Sequence, residues 1–270
     1  MGRIEDTYTH GHAETVLRSH RWRTAENSAG YLLPHLRPGQ RVLDVGCGPG
    51  TITIDLARRV SPGRVIGIDR ADTALAEGRA AASAAGVDTV SFEIGDVYAL
   101  DLPDASVDVV HAHQVLQHLT DPVAALREMA RVCRPGGVIA ARDADHAAFT
   151  WWPEDPRLDA WLALYRACAR DNNAEPDAGR RLLAWAHAAG LDDTTASAGV
   201  WCYATPADRS WWGGMWADRI VQSALADQAV DSGRATVGDL QDISRAWHDW
   251  AAADDGWFLI PHGEILARPH

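Results

Sequence analysis

The chain has 270 residues, a formal net charge of −12 and no lysine, so it lacks the basic patch that nucleic acid or an anionic membrane surface would require. Its four cysteines, Cys47, Cys133, Cys168 and Cys202, form no CxxC pair, and there is neither an 18-residue apolar run nor a charged-then-apolar leader. These features predict reduced thiols, a cytoplasmic setting and no membrane span, in a chain long enough for one domain or one domain with a cap.

Residues 1–12 are polar, with Tyr8, His10 and His12. From Ala13 to Leu33 the pattern predicts a helix with Val16, Trp22, Ala25, Ala29 and Leu32 on one face, ended by Pro34 and the Pro38-Gly39 turn. Val42–Val45 reads as a buried strand feeding the turn Gly46-Cys47-Gly48-Pro49-Gly50, and Thr51–Val60 as the helix that leaves it. Alternating glycines keep side chains out of such a turn, so that bare backbone and the first N–H groups of the helix can meet a ligand. Arg64–Asp69 reads as a second strand ending in a carboxylate, about 20 residues after the turn, where a doubly wound fold places its acceptor for ribose hydroxyls. A dinucleotide fingerprint would read Gly-x-Gly-x-x-Gly; here it is Asp44-x-Gly-x-Gly-x-Gly. A carboxylate beside the turn suits a cationic ligand better than a pyrophosphate, and S-adenosylmethionine (SAM) carries an ammonium and a sulfonium but no phosphate.

Further along, a helix is predicted over Asp72–Ala85, a strand over Thr89–Ile94 ending in Gly95-Asp96-Val97, and a strand over Val107–His113 followed by Gln114-Val-Leu-Gln-His118. A helix over Pro122–Cys133, the Arg134-Pro-Gly-Gly137 turn and a strand over Val138–Arg142 complete five strand–helix alternations, which imply a parallel sheet with ligand sites at the carboxyl ends of its strands. Those ends would converge on one crevice.

Taken together, these segments resemble motif I and four further motifs of the class I SAM-dependent methyltransferases, over residues 30 to 145, in the ubiquinone/menaquinone-type (methyltransferase type 11) branch. The resemblance implies SAM as cofactor, S-adenosylhomocysteine (SAH) as product, and a doubly wound, seven-stranded, mostly parallel Rossmann-like sheet whose last strand is antiparallel. It implies cofactor contacts at Asp44, Gly46, Cys47, Gly48, Gly50, Asp69, Arg70, Asp96, Val97, His113 and Gln114, with Asp96 accepting from the adenine amine. Many relatives carry Glu where this chain has Gln117.

After Asp145 the texture changes, and eleven of the twelve tryptophans lie beyond residue 150. Helices are predicted over Pro156–Asn172, Pro176–Ala189, Pro206–Ser232 and Val237–Ala252, and strands over Thr194–Ala204 and Trp257–Ala267. The organisation expected is an arm and helix over the cofactor in residues 1–33, a SAM-binding core in 34–146, and the rest of the core in 147–270 with helical cap insertions at 147–175 and 206–255. Trp151, Trp152, Trp211, Trp212 and Trp216 are candidates for an acceptor pocket, and equally for the cap's own core. Nine Asp against four Arg between Pro206 and Asp255 argue against a polyanionic acceptor and leave an amine open.

For a base, His113, His146 and His118 are candidates, with Asp143 and Asp145 behind them; many methyltransferases need none. The histidine pair 111/113 and the aspartate pair 143/145 do not have a fixed ligand spacing, so no metal is expected. The reading is thus a SAM-dependent methyltransferase acting on a small aromatic or apolar metabolite. Its rivals are a cyclase or isomerase of the same fold holding SAM as a structural ligand, and a non-catalytic SAM-binding partner subunit. A homo-oligomer is compatible with a helical cap.

Overall fold

A computed structural model describes Asp6 and residues 22–270. Tyr8, His10 and His12 lie outside the described residues, as do residues 13–21 of the helix expected over 13–33; its described part includes α1, Ala25–Ala29. The strands are β1 Arg41–Val45, β2 Arg64–Asp69, β3 Val90–Ile94, β4 Val107–His113, β5 Cys133–Ala144, β6 Thr150–Trp152, β7 Thr194–Tyr203 and β8 Trp257–Ala267. The remaining helices are α2 Thr51–Val60, α3 Asp72–Ala84, α4 Pro122–Val132, α5 Pro156–Asp171, α6 Leu182–Ala188, α7 Pro206–Gln222, α8 Ala224–Asp231 and α9 Val237–Ala252.

β1 to β5 are parallel in the order β3-β2-β1-β4-β5. β8 runs antiparallel between β5 and β7 and shares its β5-side edge with β6, which makes an eighth strand where seven were expected. The expected 147–175 insertion is therefore not wholly helical: its first residues extend the sheet. Two other boundaries differ. The helix expected over Pro176–Ala189 opens as a 3₁₀ turn at Ala178–Arg181, and the one over Pro206–Ser232 breaks at Ser223, whose backbone is extended. A periodic pattern does not register a one-residue break when both flanks keep the same apolar side.

Both faces of the sheet are covered because successive strand residues point to opposite sides. Leu43, Val110 and Ile139 pack with Leu126 and Met129 of α4 on one face, while Val42, Val109 and Val138 pack with Ile52, Leu56 and α1 on the other. A separate core holds the cap, where Trp161 of α5, Trp212 and Trp216 of α7 and Trp247 of α9 meet Phe258 of β8. Most late tryptophans are thus accounted for by packing.

Gly50 caps α2 with φ of 76°, and a Cβ placed there would lie 2.5 Å from the Phe92 ring. Gly50→Ala should therefore combine left-handed strain with overpacking and cost about 2–4 kcal/mol in urea unfolding. An unchanged midpoint would refute the assigned turn.

Candidate active site

The carboxyl ends of β1, β2, β3, β4 and β5 open into one cavity of about 440 Å³, which also receives residues of β7, α7 and the amino-terminal segment. At one end lies the glycine turn. Gly46 has φ of 64°, and its missing side chain makes room for Val115, whose Cγ2 would be 2.5 Å from a Cβ; at Gly50 it is Phe92 that takes the space. Two of the three glycines are therefore required by packing within the protein, and Gly50 is not in the cavity wall.

Asp69 ends β2 with its carboxylate pinned by backbone: Gly48 N–H donates to Oδ2 at 2.9 Å and Ala71 N–H to Oδ1 at 2.9 Å. Asp44, in the middle of a buried strand, is held by internal partners. Thr53 Oγ1–H donates at 2.6 Å, and Nδ1–H of His111, its register partner on β4, donates at 2.7 Å. Its charge still borders the cavity. Cys47 lies beside it, its thiol pushed far up by burial and then by the Asp44 and Asp69 carboxylates, so it is no thiolate.

Asp96 departs from expectation. Gly95 and Val97 line the cavity, but Asp96 does not; its Oδ1 accepts from Tyr98 N–H at 3.1 Å and its Oδ2 sits 3.9 Å from Arg70. The carboxylate at this end is instead Asp6, which accepts from Tyr98 Oη–H (3.1 Å), Thr120 N–H (2.8 Å) and Arg70 Nη1 (3.2 Å). Nothing in the local sequence around Asp6 signals this.

At the end of β4 the backbone turns sharply. Gln114 has φ of 54°, left-handed for a residue with a side chain, the kind of strain that concentrates at functional positions. Its amide orientation is fixed by a chain of bonds with one consistent polarity. His262 Nδ1–H donates to Ile260 O at 3.0 Å, so His262 Nε2 accepts from Gln114 Nε2–H at 2.9 Å, and Gln114 Oε1 accepts from Arg23 at 2.6 Å. Gln117 likewise ties the turn to β5, its Oε1 accepting from Ala144 N–H and its Nε2–H donating to His118 Nε2 at 2.9 Å.

All three candidate histidines line the cavity, but they differ in what their nitrogens can do. Both ring nitrogens of His113 are sealed from solvent and have no partner, and burial, then the Arg23 and Arg142 charges, hold it neutral. His118 has its Nε2 engaged by Gln117; burial lowers it to about 3. His146 is sandwiched between Phe149 and Tyr165, with centroids at 4.5 and 4.4 Å. Its Nδ1 lies 2.6 Å from Pro176 O; a carbonyl can only accept, so Nδ1 carries the proton and Nε2 the lone pair. Burial brings His146 down to about 4, against the Pro176 carbonyl and the Asp177 and Asp145 carboxylates, while Arg166 lowers it further.

The carboxylates weighed as bases are engaged elsewhere. Asp145 is held by both donors of Arg180, and Asp143, fully buried, accepts from Gln117 N–H; burial raises it to about 7. Among the described residues no three His, Cys, Asp or Glu side chains are grouped to hold a metal.

The far end of the cavity is aromatic. Trp211, Trp212 and Trp216 line it as anticipated, joined by Trp22, Phe149, Trp201 and Tyr203. Trp151 and Trp152 do not line it. β6 pairs with β8, which turns Trp151 onto Phe258 (5.6 Å, 8° between planes) and Trp152 outward, 52 % exposed with its Nε1–H on Asp255. Trp201 and Tyr203 share one face of a predicted strand, a signal the sequence offered; Trp22 reaches the site only through the tertiary fold. None of the nine aspartates between 206 and 255 is in the wall.

Comparison with known proteins agrees with this geometry. Residues 36–196 match the family model for a methyltransferase domain. The chain is 34 % identical to an uncharacterized methyltransferase of Schizosaccharomyces pombe, over 97 % of this chain and 96 % of that one. It is 35 % identical to a demethylmenaquinone methyltransferase of Symbiobacterium thermophilum over 48 % of this chain and 56 % of the relative. Among solved structures, the YcgJ protein of Bacillus subtilis shares the fold, with a TM-score of 0.54 at 24 % identity over 89 % of this chain and 97 % of that one. A glycine turn backed by Asp69, a cavity at the strand ends and a near full-length methyltransferase relative converge on one conclusion: the chain belongs to the class I SAM-dependent methyltransferases.

Proposed function

We propose that this enzyme methylates a small planar acceptor, aromatic or apolar, held in the aromatic end of the cavity. The observation that carries this reading is continuity: the glycine turn, Gln114 and the tryptophan-lined end belong to one cavity. Carboxylates at Asp44 and Asp69, beside an Arg70 already paired with Asp6, fit a cationic ligand without phosphate.

In this reading the Gly46–Gly48 backbone, Asp69, Arg70, Val97 and Gln114 hold SAM, which supplies an electrophilic methyl group. Asp6, Trp22 and Arg23 in the wall support a covering role over the cofactor for the described residues before 34. The protein's own contribution is to exclude water, orient the acceptor against flat rings and receive a proton. Four free cysteines support a cytoplasmic setting.

Incubation with methyl-labelled SAM and a panel of small aromatic acceptors tests the proposal. Label should appear in product, and Trp211→Ala or Trp212→Ala should raise acceptor KM about tenfold or more while SAH affinity stays within about twofold. Product formed without label would favour the cyclase reading.

A further inference from the structure

We infer that His146 Nε2 receives the proton of a hydroxyl group borne by a neutral, planar acceptor. The inference rests on the methyl-transfer reading above and names the acceptor class it requires.

Three observations meet here. Of the three histidines in the wall, His146 combines a fixed tautomer with an open acceptor nitrogen: Nδ1–H is held by Pro176 O, and among the described residues Nε2 has no hydrogen-bond partner and is not sealed. Stacking on both faces by Phe149 and Tyr165 leaves the ring little freedom except for its edge, so the lone pair has a set direction. The charged and titratable groups facing His146 are Asp145, Asp177, Arg166, His118 and His262, and none of these is hydrogen-bonded to Nε2.

The second element is the wall itself. Among the described residues, the aromatic end presents indole and phenyl faces with Arg23 and Arg219 as its charged side chains, and the carboxylates Asp6, Asp44 and Asp69 all belong to the cofactor end. Among the described residues no carboxylate lines that end, so an ammonium acceptor would meet no counter-ion there. The amine left open by the count of aspartates is disfavoured for that reason.

The chemistry balances. The acceptor oxygen forms a bond to the methyl carbon as the carbon–sulfur bond breaks, the sulfonium charge is discharged on the departing thioether, and the hydroxyl proton moves to Nε2, later to solvent. A base as weak as His146 could not ionise a phenol beforehand. As the carbon–oxygen bond forms, however, the oxygen becomes oxonium-like and the proton far more acidic, so transfer to an imidazole that is unprotonated at neutral pH runs downhill.

The test is calorimetry on the SAH-loaded enzyme with 1-naphthol, naphthalene and 1-naphthylmethylammonium. 1-Naphthol should bind about tenfold more tightly than the ammonium probe and about five- to tenfold more tightly than naphthalene, the margin of one buried hydrogen bond. His146→Phe should reduce the naphthol-over-naphthalene preference to below about twofold, and His146→Gln should lower label transfer to naphthol by about 100-fold or more. Equal or tighter binding of the ammonium probe to the wild type, which needs no variant, overturns the acceptor class. An unchanged hydroxyl preference in His146→Phe overturns the role of His146. Failure to bind SAH at all would sink the methyl-transfer reading itself, whereas SAH binding with the probe order inverted sinks only this inference.

Discussion

Asp69→Ala should abolish measurable SAH binding in calorimetry, a loss of about 100-fold or more, while Asp96→Ala should stay within about threefold of wild type. The contrast follows from where each carboxylate is anchored. Asp69 borders the cavity and receives the Gly48 and Ala71 amides, so removing it deletes the group facing the ribose position and also releases the glycine turn from β2. Asp96 ends a neighbouring strand but holds Tyr98 N–H outside the wall. Asp69→Asn helps separate the two losses: its Oδ1 can still accept one amide, so the fold should be kept while affinity falls. If Asp96→Ala is the more damaging change, the cavity is not where the adenosyl group lies.

How far the sequence could be read follows from what each residue type encodes. Strand ends and crossovers were legible because valine-rich runs such as Val42–Val45 and Val107–His113 alternate with helical patterns at regular spacing. β8 was legible over its whole length, and its antiparallel direction came from the family resemblance, while its pairing with β5 is seen only in the fold. The cavity wall was legible at Gly46–Gly48 and Asp69, where glycine spacing and a strand-end carboxylate mark the turn, and at Gln114 through the family resemblance. It was not legible where the outcome depends on which partner satisfies a polar group. Asp96 and Asp6 are the same residue type, and only the folded chain shows that the distant one occupies the wall. Trp151 and Trp152 failed as pocket candidates because a three-residue strand, too short to leave a periodic signal, turns them onto β8 and outward.

Lowering the pH from 7 to 5 should destabilise the protein steeply. His113, His146 and His262 are 5 %, 5 % and 1 % exposed, and burial is the first cause holding all three below the ordinary histidine range. His118, which burial lowers to about 3, behaves alike; as the pH drops under about 6.5 the unfolded chain therefore gains four protons that the native state refuses, and stability falls with falling pH. Asp143 works in the opposite sense. Raised to about 7 by burial, it is protonated in the native state across this window but still ionised when unfolded, which returns one proton to the folded side. The net excess of about three protons on the unfolded chain gives a slope of roughly 4 kcal/mol per pH unit between about pH 6 and 5. Against a typical total of about 5–15 kcal/mol, that is enough to bring cooperative unfolding near pH 5. Relief of the net negative charge on acidification pulls the other way, but those groups are mostly exposed and screened by salt. Urea midpoints followed by circular dichroism at pH 8, 7, 6 and 5 measure the slope. His262→Gln, which keeps a side-chain amide beside Gln114 without a titrating ring, should flatten it by about one proton, whereas midpoints constant from pH 7 to 5 would mean that the buried imidazoles titrate freely.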